Sequence, residues 1–213
     1  MSAFEKRDNY QITLVRTREL FLKYDQQAII DRFSLNADER YLYLTFVARP
    51  YRIERATGAI EFLKDRWLPA GHGDGMTIYD ILCDSKPDAR VSGRFQNAWN
   101  QRNVSSAPNG SLFQSSADFF SGKCDSLSAA CEHLGGERVS TGDVGFDIPV
   151  FNEIKMRMLF WDADDEFPAS MNLQWDEHIL DFMRYETTFY AAGFILNRLR
   201  EEAENERGVA KAD

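Results

Sequence analysis

The side chains best suited to chemistry are concentrated in one C-terminal segment, residues 155–200. Two short apolar runs in this segment flank an acidic turn that is closed by Pro168. The turn carries the carboxylates of Asp162, Asp164, Asp165 and Glu166. Carboxylates are the ligands that Mg²⁺ and Ca²⁺ prefer, and they also serve as acids and bases in catalysis. A binding or catalytic site is therefore expected here first.

The acidic turn does not follow the pattern of a calcium loop. Phe167 stands where such a loop requires glycine, and Leu173 stands where it requires a bidentate glutamate. A magnesium site formed by one or two of the carboxylates stays open. The simpler interpretation is a solvated turn between two antiparallel strands, and on that interpretation we expect no metal.

A long amphipathic helix is predicted to follow the second apolar run. Asp176 is its expected N-cap, because a short carboxylate can accept hydrogen bonds from the free amides of a first helical turn. At about 100° per residue, one side of this helix carries Ile179, Phe182, Met183, Phe189, Tyr190, Gly193 and Phe194.

Glu186 falls near the centre of that apolar stripe, so its carboxylate is predicted to be buried. A buried carboxylate is costly unless it is paired or protonated. One interpretation is structural: a hydrogen bond to the backbone, or an ion pair for which Arg49, Arg52 and Arg55 are the first partners to consider. The other interpretation is a functional carboxylate.

Candidate ligand-binding residues are the carboxylates, the histidine and the aromatic side chains of this segment. They are Trp161, Asp164, Asp165, Glu166, Asp176, His178, Glu186 and Tyr190. No complete catalytic set accompanies them, and the chain contains no Gly-x-Ser-x-Gly motif. The catalytic residues, if there are any, are left open.

The elements that must position these residues follow from hydrophobic patterning and turn signals. Strands are predicted over residues 41–47, 51–55 and 59–63, with Pro50 at a strand end or sheet edge. Residues 139–150 are expected to form a loop. Helices are predicted over residues 8–33 with a break near Asp25, over 76–83, and over 112–134 with a break at Gly122. The predicted class is α+β: an antiparallel sheet packed by helices, with a long C-terminal amphipathic helix.

A glycine-rich stretch with Gly71, Gly73 and Gly75 precedes the second of these helices. Such a stretch can present backbone amides to a phosphate. It has neither the Walker spacing nor a lysine after the last glycine. We therefore interpret it as an ordinary loop in which Asp74 caps the helix.

Length and composition indicate a single domain of 213 residues. We expect an ordered core over residues 8–200, a mobile loop that could cover a pocket at 101–111, and a frayed tail at 201–213. A formal net charge of −9 argues against a broad nucleic-acid surface. The chain has no apolar run of membrane-spanning length and no signal-like start. With 3 cysteines as well, the expected location is the cytoplasm.

Three stretches resemble the domain of unknown function 3786 family. The C-terminal one is the most specific: W-D-A-D-D-E-F-P-A, then a short strand, then W-D-E-H-I-L-D-F-M-R-Y-E. The other two are Y-R-I-E-R-A-T-G-A-I and F-F-S-G-K-C-D-S-L-S-A-A-C-E-H-L-G-G-E, and the resemblance covers roughly residues 10–200. It implies no activity. Some relatives adjoin an iron–sulfur domain in anaerobes, but 3 cysteines are too few for a four-thiolate cluster, which argues against a direct redox role.

Three functions remain open. The first is a cytoplasmic module that binds a small-molecule ligand or assists another protein, linked by the resemblance to anaerobic cofactor or one-carbon metabolism. The second is a carboxylate-based enzyme, with or without a divalent metal, that uses Asp164, Asp165, Asp176, His178 and Glu186. The third is a structural or protein-interaction domain. We expect binding rather than catalysis, and neither nucleic acid nor membrane as a partner. The cofactor, the ligand and the oligomeric state stay open.

Overall fold

A computed structural model of the protein describes residues 3–97 and 113–209. The loop predicted at 101–111 lies outside the described residues. The chain divides into two compact units. The N-terminal unit consists of Met1–Ala89 and Leu180–Ala191, and the C-terminal unit consists of Arg90–Ile179 and Ala192–Asp213. The single folding domain that the sequence suggests stays a prediction.

The N-terminal unit contains an antiparallel meander whose strands lie in the sheet in chain order. The strands are β1 (Asn36–Ala37), β2 (Tyr41–Phe46), β3 (Arg49–Glu54), β4 (Ile60–Leu63) and β5 (Trp67–Pro69). Val47 and Ala48 join β2 to β3 with φ angles of 46° and 54°. Positive φ at both turn positions matches the twist of the strands on either side. Pro50 has a strand partner on one side only, because β3 pairs with β4 from Tyr51 onward.

The first predicted helix is interrupted where the sequence indicates. Helix α1 (Ala3–Phe21) ends before a turn, and helix α2 (Gln26–Phe33) starts after Asp25. The Asp25 carboxylate accepts hydrogen bonds from the backbone amides of Gln27 and Ala28. This is the capping arrangement that makes aspartate a preferred first residue. The predicted break is therefore confirmed.

The next helix starts earlier than predicted. Helix α3 spans His72–Tyr79 and continues as a π-helical turn, Asp80–Asp84. Its N-cap is Gly71, which makes no side-chain capping bond. The prediction that Asp74 caps this helix is wrong. Asp74 lies inside the first turn and is buried, because its carboxylate accepts a hydrogen bond from the Tyr51 hydroxyl.

The C-terminal unit contains a second antiparallel sheet, in the order β6-β10-β9-β8-β7. Its strands are β6 (Phe95–Gln96), β7 (Glu137–Arg138), β8 (Val144–Phe151), β9 (Ile154–Trp161) and β10 (Ser170–Asp176). The antiparallel pairing of β9 with β10 around the acidic turn is confirmed. The prediction of a loop over 139–150 is confirmed for residues 139–143 and wrong for 144–150, because β8 pairs with β9 along most of its length.

Gly145 and Pro149, which in sequence indicate a loop, each have a local explanation within strand β8. A Cβ on Gly145 would lie 2.3 Å from the Thr141 carbonyl oxygen, so the close backbone approach there requires glycine. Pro149 lies where the pairing of β8 with β9 becomes irregular. Both residues are tolerated in the strand, although in sequence they resemble loop signals.

Two short helices pack on one side of this sheet. They are α4 (Gln114–Phe120) and α5 (Cys124–His133), separated at Gly122 as predicted. Gly135, with φ of 75°, follows α5 in the left-handed conformation that ends many helices. The core-facing side of the sheet contributes the buried side chains of Phe146, Ile148, Met156, Met158, Phe160, Leu173 and Trp175.

The C-terminal helix begins later than predicted. Asp176 ends strand β10, a 3-10 turn spans Ile179–Asp181, and helix α6 runs over Tyr185–Val209. The prediction of Asp176 as helix N-cap is therefore wrong. Residues 201–209, expected in the frayed tail, are helical. The fold class is α+β, with a long C-terminal helix as predicted. No helix in the described part of the chain has an apolar stretch long enough to cross a membrane.

Candidate functional site

The structure does not bring the candidate ligand-binding residues into one cluster. Asp164, Asp165 and Glu166 precede strand β10, whereas Asp176 and His178 lie at its other end. A strand of 7 residues spans about 20 Å. Glu186 and Tyr190 belong to the N-terminal unit. Within the C-terminal unit, the sequence-based set is therefore divided between the two ends of β10.

Glu186 is exposed, so the prediction that it is buried is wrong. The predicted stripe assumes an unbroken helix from Asp176. The chain is irregular before Tyr185, so the residues of α6 face other directions than that helix would give them. The buried side of the first turns of α6 carries Thr187, Thr188, Ala191 and Ala192 instead. Of the predicted stripe, Ile179, Phe182 and Met183 are buried, whereas its members in α6, Phe189, Tyr190, Gly193 and Phe194, are half-buried. Because Glu186 is exposed, its carboxylate does not carry the cost of burial, and a pairing with Arg49, Arg52 or Arg55 stays a prediction.

Asp176 fastens the end of strand β10 to the segment that leads into β6. Its Oδ2 accepts hydrogen bonds from the Ser92 amide at 2.9 Å and the Gly93 amide at 2.7 Å, and its Oδ1 accepts one from the His178 amide at 2.9 Å. Burial opposes ionisation of Asp176, but these hydrogen bonds outweigh it and lower the pKa of the carboxyl.

The two residues after Asp176 hold the same segment. The Glu177 amide donates to the Arg94 carbonyl oxygen at 2.9 Å, and the Arg94 guanidinium pairs with the Glu177 carboxylate. The His178 ring nitrogen Nδ1 lies 3.2 Å from the Arg90 carbonyl oxygen. The W-D-E-H part of the C-terminal signature thus positions β6 beside β10. Asp176 and His178 do so through contacts within the protein.

Two carboxylates of the acidic turn accept hydrogen bonds from the protein itself, Asp164 within the turn and Asp162 from the junction of α4 and α5. Asp164 Oδ1 accepts hydrogen bonds from the amides of Glu166 and Phe167, at 2.8 and 2.7 Å. Asp162 accepts from the Gly122 amide at 2.9 Å and from the Ser121 hydroxyl at 3.1 Å, and the Gly122 bond is the main cause of its lowered pKa. Within the described ranges, no three histidine, cysteine or carboxylate side chains are grouped as metal ligands.

The side of the second sheet that faces away from its apolar core is polar. Asp147, Arg157 and Gln174 lie side by side on β8, β9 and β10, because the strand register places them opposite one another. Asn172 lies on the same side of β10, and Asn97 directly follows Gln96, which pairs with Trp175. We refer to this surface, formed by Asn97, Asp147, Arg157, Asn172 and Gln174, as the polar face.

The charged groups of the polar face are paired with one another. Arg157 makes two hydrogen bonds with the Asp147 carboxylate, at 2.7 and 2.8 Å, and its guanidinium lies 4.3 Å from the centre of the Phe95 ring. The Lys155 ammonium next to it pairs with Glu137 at 2.8 Å. These contacts fix Arg157 in place and leave the face close to electrically neutral.

Two amide oxygens near the polar face have unmet hydrogen-bonding capacity. The Oδ1 atoms of Asn97 and Asn172 are buried and accept no hydrogen bond from any residue that the structure describes. Buried polar atoms are normally paired, so each exception requires a specific explanation. The sequence-based reasoning missed both residues. The only signal was the alternation of polar and apolar residues in S-M-N-L-Q-W, which makes one side of β10 polar.

A separate polar cluster lies in the N-terminal unit, around the start of α3. The Tyr51 hydroxyl on β3 donates to Asp74 Oδ2 at 2.8 Å, and both side chains are buried. Burial raises the pKa of the Asp74 carboxyl, against the opposing hydrogen bonds from Tyr51 and Gly75. The His72 ring meets the Tyr190 ring edge-on at 4.8 Å, and partial burial lowers the pKa of His72. Tyr190 is the one candidate residue in this cluster.

Together, these features define an α+β protein with a neutral polar surface on its second sheet. The sequence model of the family described as Domain of unknown function (DUF3786) matches residues 25–198. The chain belongs to this family, as its C-terminal signature predicted. Comparison with curated proteins gave no match, and neither did comparison with solved structures.

Proposed function

We propose that this protein is a binding module for a small, uncharged polar ligand, which lies on the polar face. The observation that carries the proposal is the pair of buried side-chain oxygens on Asn97 and Asn172. An unpaired buried acceptor costs about 1–3 kcal/mol. A ligand that donates N–H or O–H groups to both oxygens would recover that cost on binding.

The charge distribution supports an uncharged ligand. Arg157 and Asp147 neutralise each other, and Lys155 and Glu137 do the same. An ionic ligand would have to compete with these pairs, whereas hydroxyl or amide groups would not. Sugars, polyols, nucleosides and simple amides share the required chemistry. Trp161, exposed at the end of β9 on the same side, offers a ring for stacking.

The dispersal of the carboxylates favours binding over a carboxylate-based reaction. Acid–base catalysis requires its groups within hydrogen-bonding reach of one substrate. Asp164 and Asp165 lie about 20 Å along β10 from Asp176. The Asp176 carboxylate also accepts hydrogen bonds from the segment before β6. For location we propose the cytoplasm, which suits the unpaired Cys83, Cys124 and Cys131.

Asn172→Leu is expected to abolish ligand binding while leaving the fold intact. Leucine has a similar shape and no polar atom, so it removes the unpaired acceptor together with the cost of burying it. We therefore expect the ligand-free variant to be as stable as the wild type or about 1 kcal/mol more stable. Native mass spectrometry of the purified protein, followed by thermal shift with hexoses, polyols and nucleosides, measures both effects.

Ser170→Ala is the matched control. Ser170 lies on the same side of the same strand and is exposed, so its replacement should preserve any bound mass and any ligand-induced shift. If Asn172→Leu retains the same bound mass and the same shift as Ser170→Ala, the polar face is not the binding surface.

A further inference from the structure

Two cationic side chains of the C-terminal unit lie against one aromatic ring. The Lys123 ammonium is 4.4 Å and the Arg200 guanidinium carbon is 5.2 Å from the centre of the Phe119 ring. All three side chains are half-buried. Phe119 belongs to α4, Lys123 directly precedes α5 and Arg200 belongs to α6. The two charges therefore reach the ring from different parts of the chain.

Neither cation is balanced by a carboxylate. Lys123 donates to the Phe119 carbonyl oxygen. Arg200 donates from Nη2 to the hydroxyl oxygens of Ser115 at 3.1 Å and Ser116 at 3.0 Å. In the part of the chain that the structure describes, neither side chain forms an ion pair. All their partners within that part are neutral.

Several other arginines that lie over aromatic rings in this protein do pair with a carboxylate. The pairs are Arg52–Glu61, Arg138–Glu132 and Arg157–Asp147. Two neighbouring positive charges repel each other unless an anion lies close to both. In a chain with a formal net charge of −9, two unbalanced cations at one ring require an explanation.

The polar groups at this ring have donors that no described residue accepts. Arg200 Nε is buried and has no hydrogen-bond partner. Ser115 and Ser116 accept from Arg200, and neither hydroxyl donates to another residue between 3–97 and 113–209. Ser116 is 3 % exposed, so its position is fixed by the surrounding protein. Lys123 uses one of the three donor hydrogens of its ammonium group.

We propose that Ser115, Ser116, Lys123 and Arg200 form a binding site for a phosphate group, either as the free ion or carried by a small molecule. The phosphate oxygens accept hydrogen bonds from Arg200 and from the two hydroxyls. Lys123 supplies the second positive charge. Arginine suits this role because its planar group of N–H donors matches the oxygens of a phosphate. The donors in this proposal are all side chains.

The carboxylates nearest to this basic cluster have other roles. Asp118 on α4 accepts a hydrogen bond from Gln114 at 2.8 Å. Asp162 accepts from the Gly122 amide at 2.9 Å. Glu204, one turn further along α6, is exposed and forms no ion pair with a residue that the structure describes. A phosphate at the cluster would therefore not have to displace a carboxylate from either cation.

This site is separate from the polar face in its chemistry. The charges of the polar face neutralise each other, whereas the basic cluster carries two unbalanced positive charges. The inference therefore does not depend on the proposed function, and either can fail without the other.

Inorganic phosphate and glycerol phosphate are the probes that test the site. At equal ionic strength, the wild type should melt at a higher temperature in either probe than in chloride, because a ligand that binds the folded state stabilises it. The Arg200 Nε–H resonance should shift during an NMR titration until it saturates. Tighter binding of glycerol phosphate would identify a phosphorylated small molecule as the ligand, and equal binding would identify the free ion.

Three variants assign the binding to this cluster. Arg200→Gln should weaken the binding of both probes about tenfold or more, because it removes a charge and the paired N–H donors. Ser116→Ala removes one neutral donor and should weaken binding about threefold. Arg138→Gln is the matched control, because Arg138 also lies over a ring but pairs with Glu132. It should leave phosphate binding unchanged.

Lys123→Gln provides a further test if Arg200→Gln fails to fold. It removes the second charge, so phosphate binding should become weaker and less sensitive to salt. The proposal is overturned if neither probe produces a saturable shift of the Arg200 Nε–H resonance up to about 10 mM, where even a millimolar site is mostly occupied. It is also overturned if Arg200→Gln, or Lys123→Gln in its place, binds phosphate as tightly as Arg138→Gln does.

Discussion

Arg184→Ala is expected to lower the free energy of unfolding by about 3–5 kcal/mol, because it leaves a buried carboxylate without its charged partner. That carboxylate belongs to Asp80, which is 1 % exposed at the start of the π-helical turn. Arg184 donates to it from Nε at 3.0 Å, from its backbone amide at 3.2 Å and from Nη2. The Thr187 hydroxyl supplies one further bond.

The size of this effect depends on which partner is removed. Arg184 is half-exposed and can be hydrated when Asp80 is absent, whereas the Asp80 side chain is fully buried. Asp80→Asn should therefore cost less than Arg184→Ala, and the double variant should recover part of the loss. Arg184→Lys keeps the charge but loses the two-pronged geometry, so its stability should fall between the wild type and Arg184→Ala.

Urea denaturation followed by circular dichroism measures these differences. Arg94→Ala is the control, because the Arg94 side chain is 75 % exposed in its pair with Glu177 and such surface pairs contribute at most about 1 kcal/mol. A loss for Arg184→Ala no larger than that for Arg94→Ala would show that the Asp80 carboxylate is solvated on its own.

The sequence predicts features whose cause is local. Asp25 caps a helix with a carboxylate that reaches amides two and three residues ahead, so the interruption before α2 is visible in sequence. The same applies to the break at Gly122 and to the pairing of β9 with β10. In each case, a short window contains all the residues that determine the structure.

The errors concern residues whose partners are distant in sequence. Asp176 follows an aromatic residue and precedes a glutamate, which suits a helix N-cap equally well. What decides its role is the loop at Ser92 and Gly93, far upstream. Asp74 resembles a helix cap in sequence, but its carboxylate accepts a hydrogen bond from the Tyr51 hydroxyl on β3. The predicted burial of Glu186 depends on helical phase alone. An irregular stretch before Tyr185 changes that phase, so Glu186 faces another direction than predicted.

The candidate site was the least predictable feature for the same reason. Asn97 and Asn172 are ordinary residues in sequence, and strand register alone places them on one side of the sheet. Composition marks carboxylates and aromatic residues as candidates because those side chains are chemically conspicuous. An amide that is unusual only for an unmet hydrogen bond becomes visible once the fold is known.

Asp176→Asn is expected to destabilise the protein by about 3 kcal/mol at neutral pH. Hydrogen bonds to a charged acceptor contribute about 1.5–3 kcal/mol each. In the variant, the side-chain NH₂ group would face backbone amides that donate to the carboxylate in the wild type. The Asp176 pKa is lowered on folding. Its contribution to stability is therefore present above the unfolded pKa of about 3.9 and is lost as pH falls through the folded value. The gap between the wild type and Asp176→Asn should narrow in acid.

Asp176 also connects stability to the proposed binding surface. Its bonds to Ser92 and Gly93 position β6, and Asn97 directly follows β6. Asp176→Asn should therefore weaken binding at the polar face, although Asp176 itself contacts no ligand in our proposal.

Asp165→Asn, an exposed carboxyl on the acidic turn, should change neither stability nor binding. Melting curves across pH, with and without bound ligand, separate the two effects. A gap that stays constant from neutral pH to acid would mean that the Asp176 carboxylate is not the group that fastens β10 to the segment before β6.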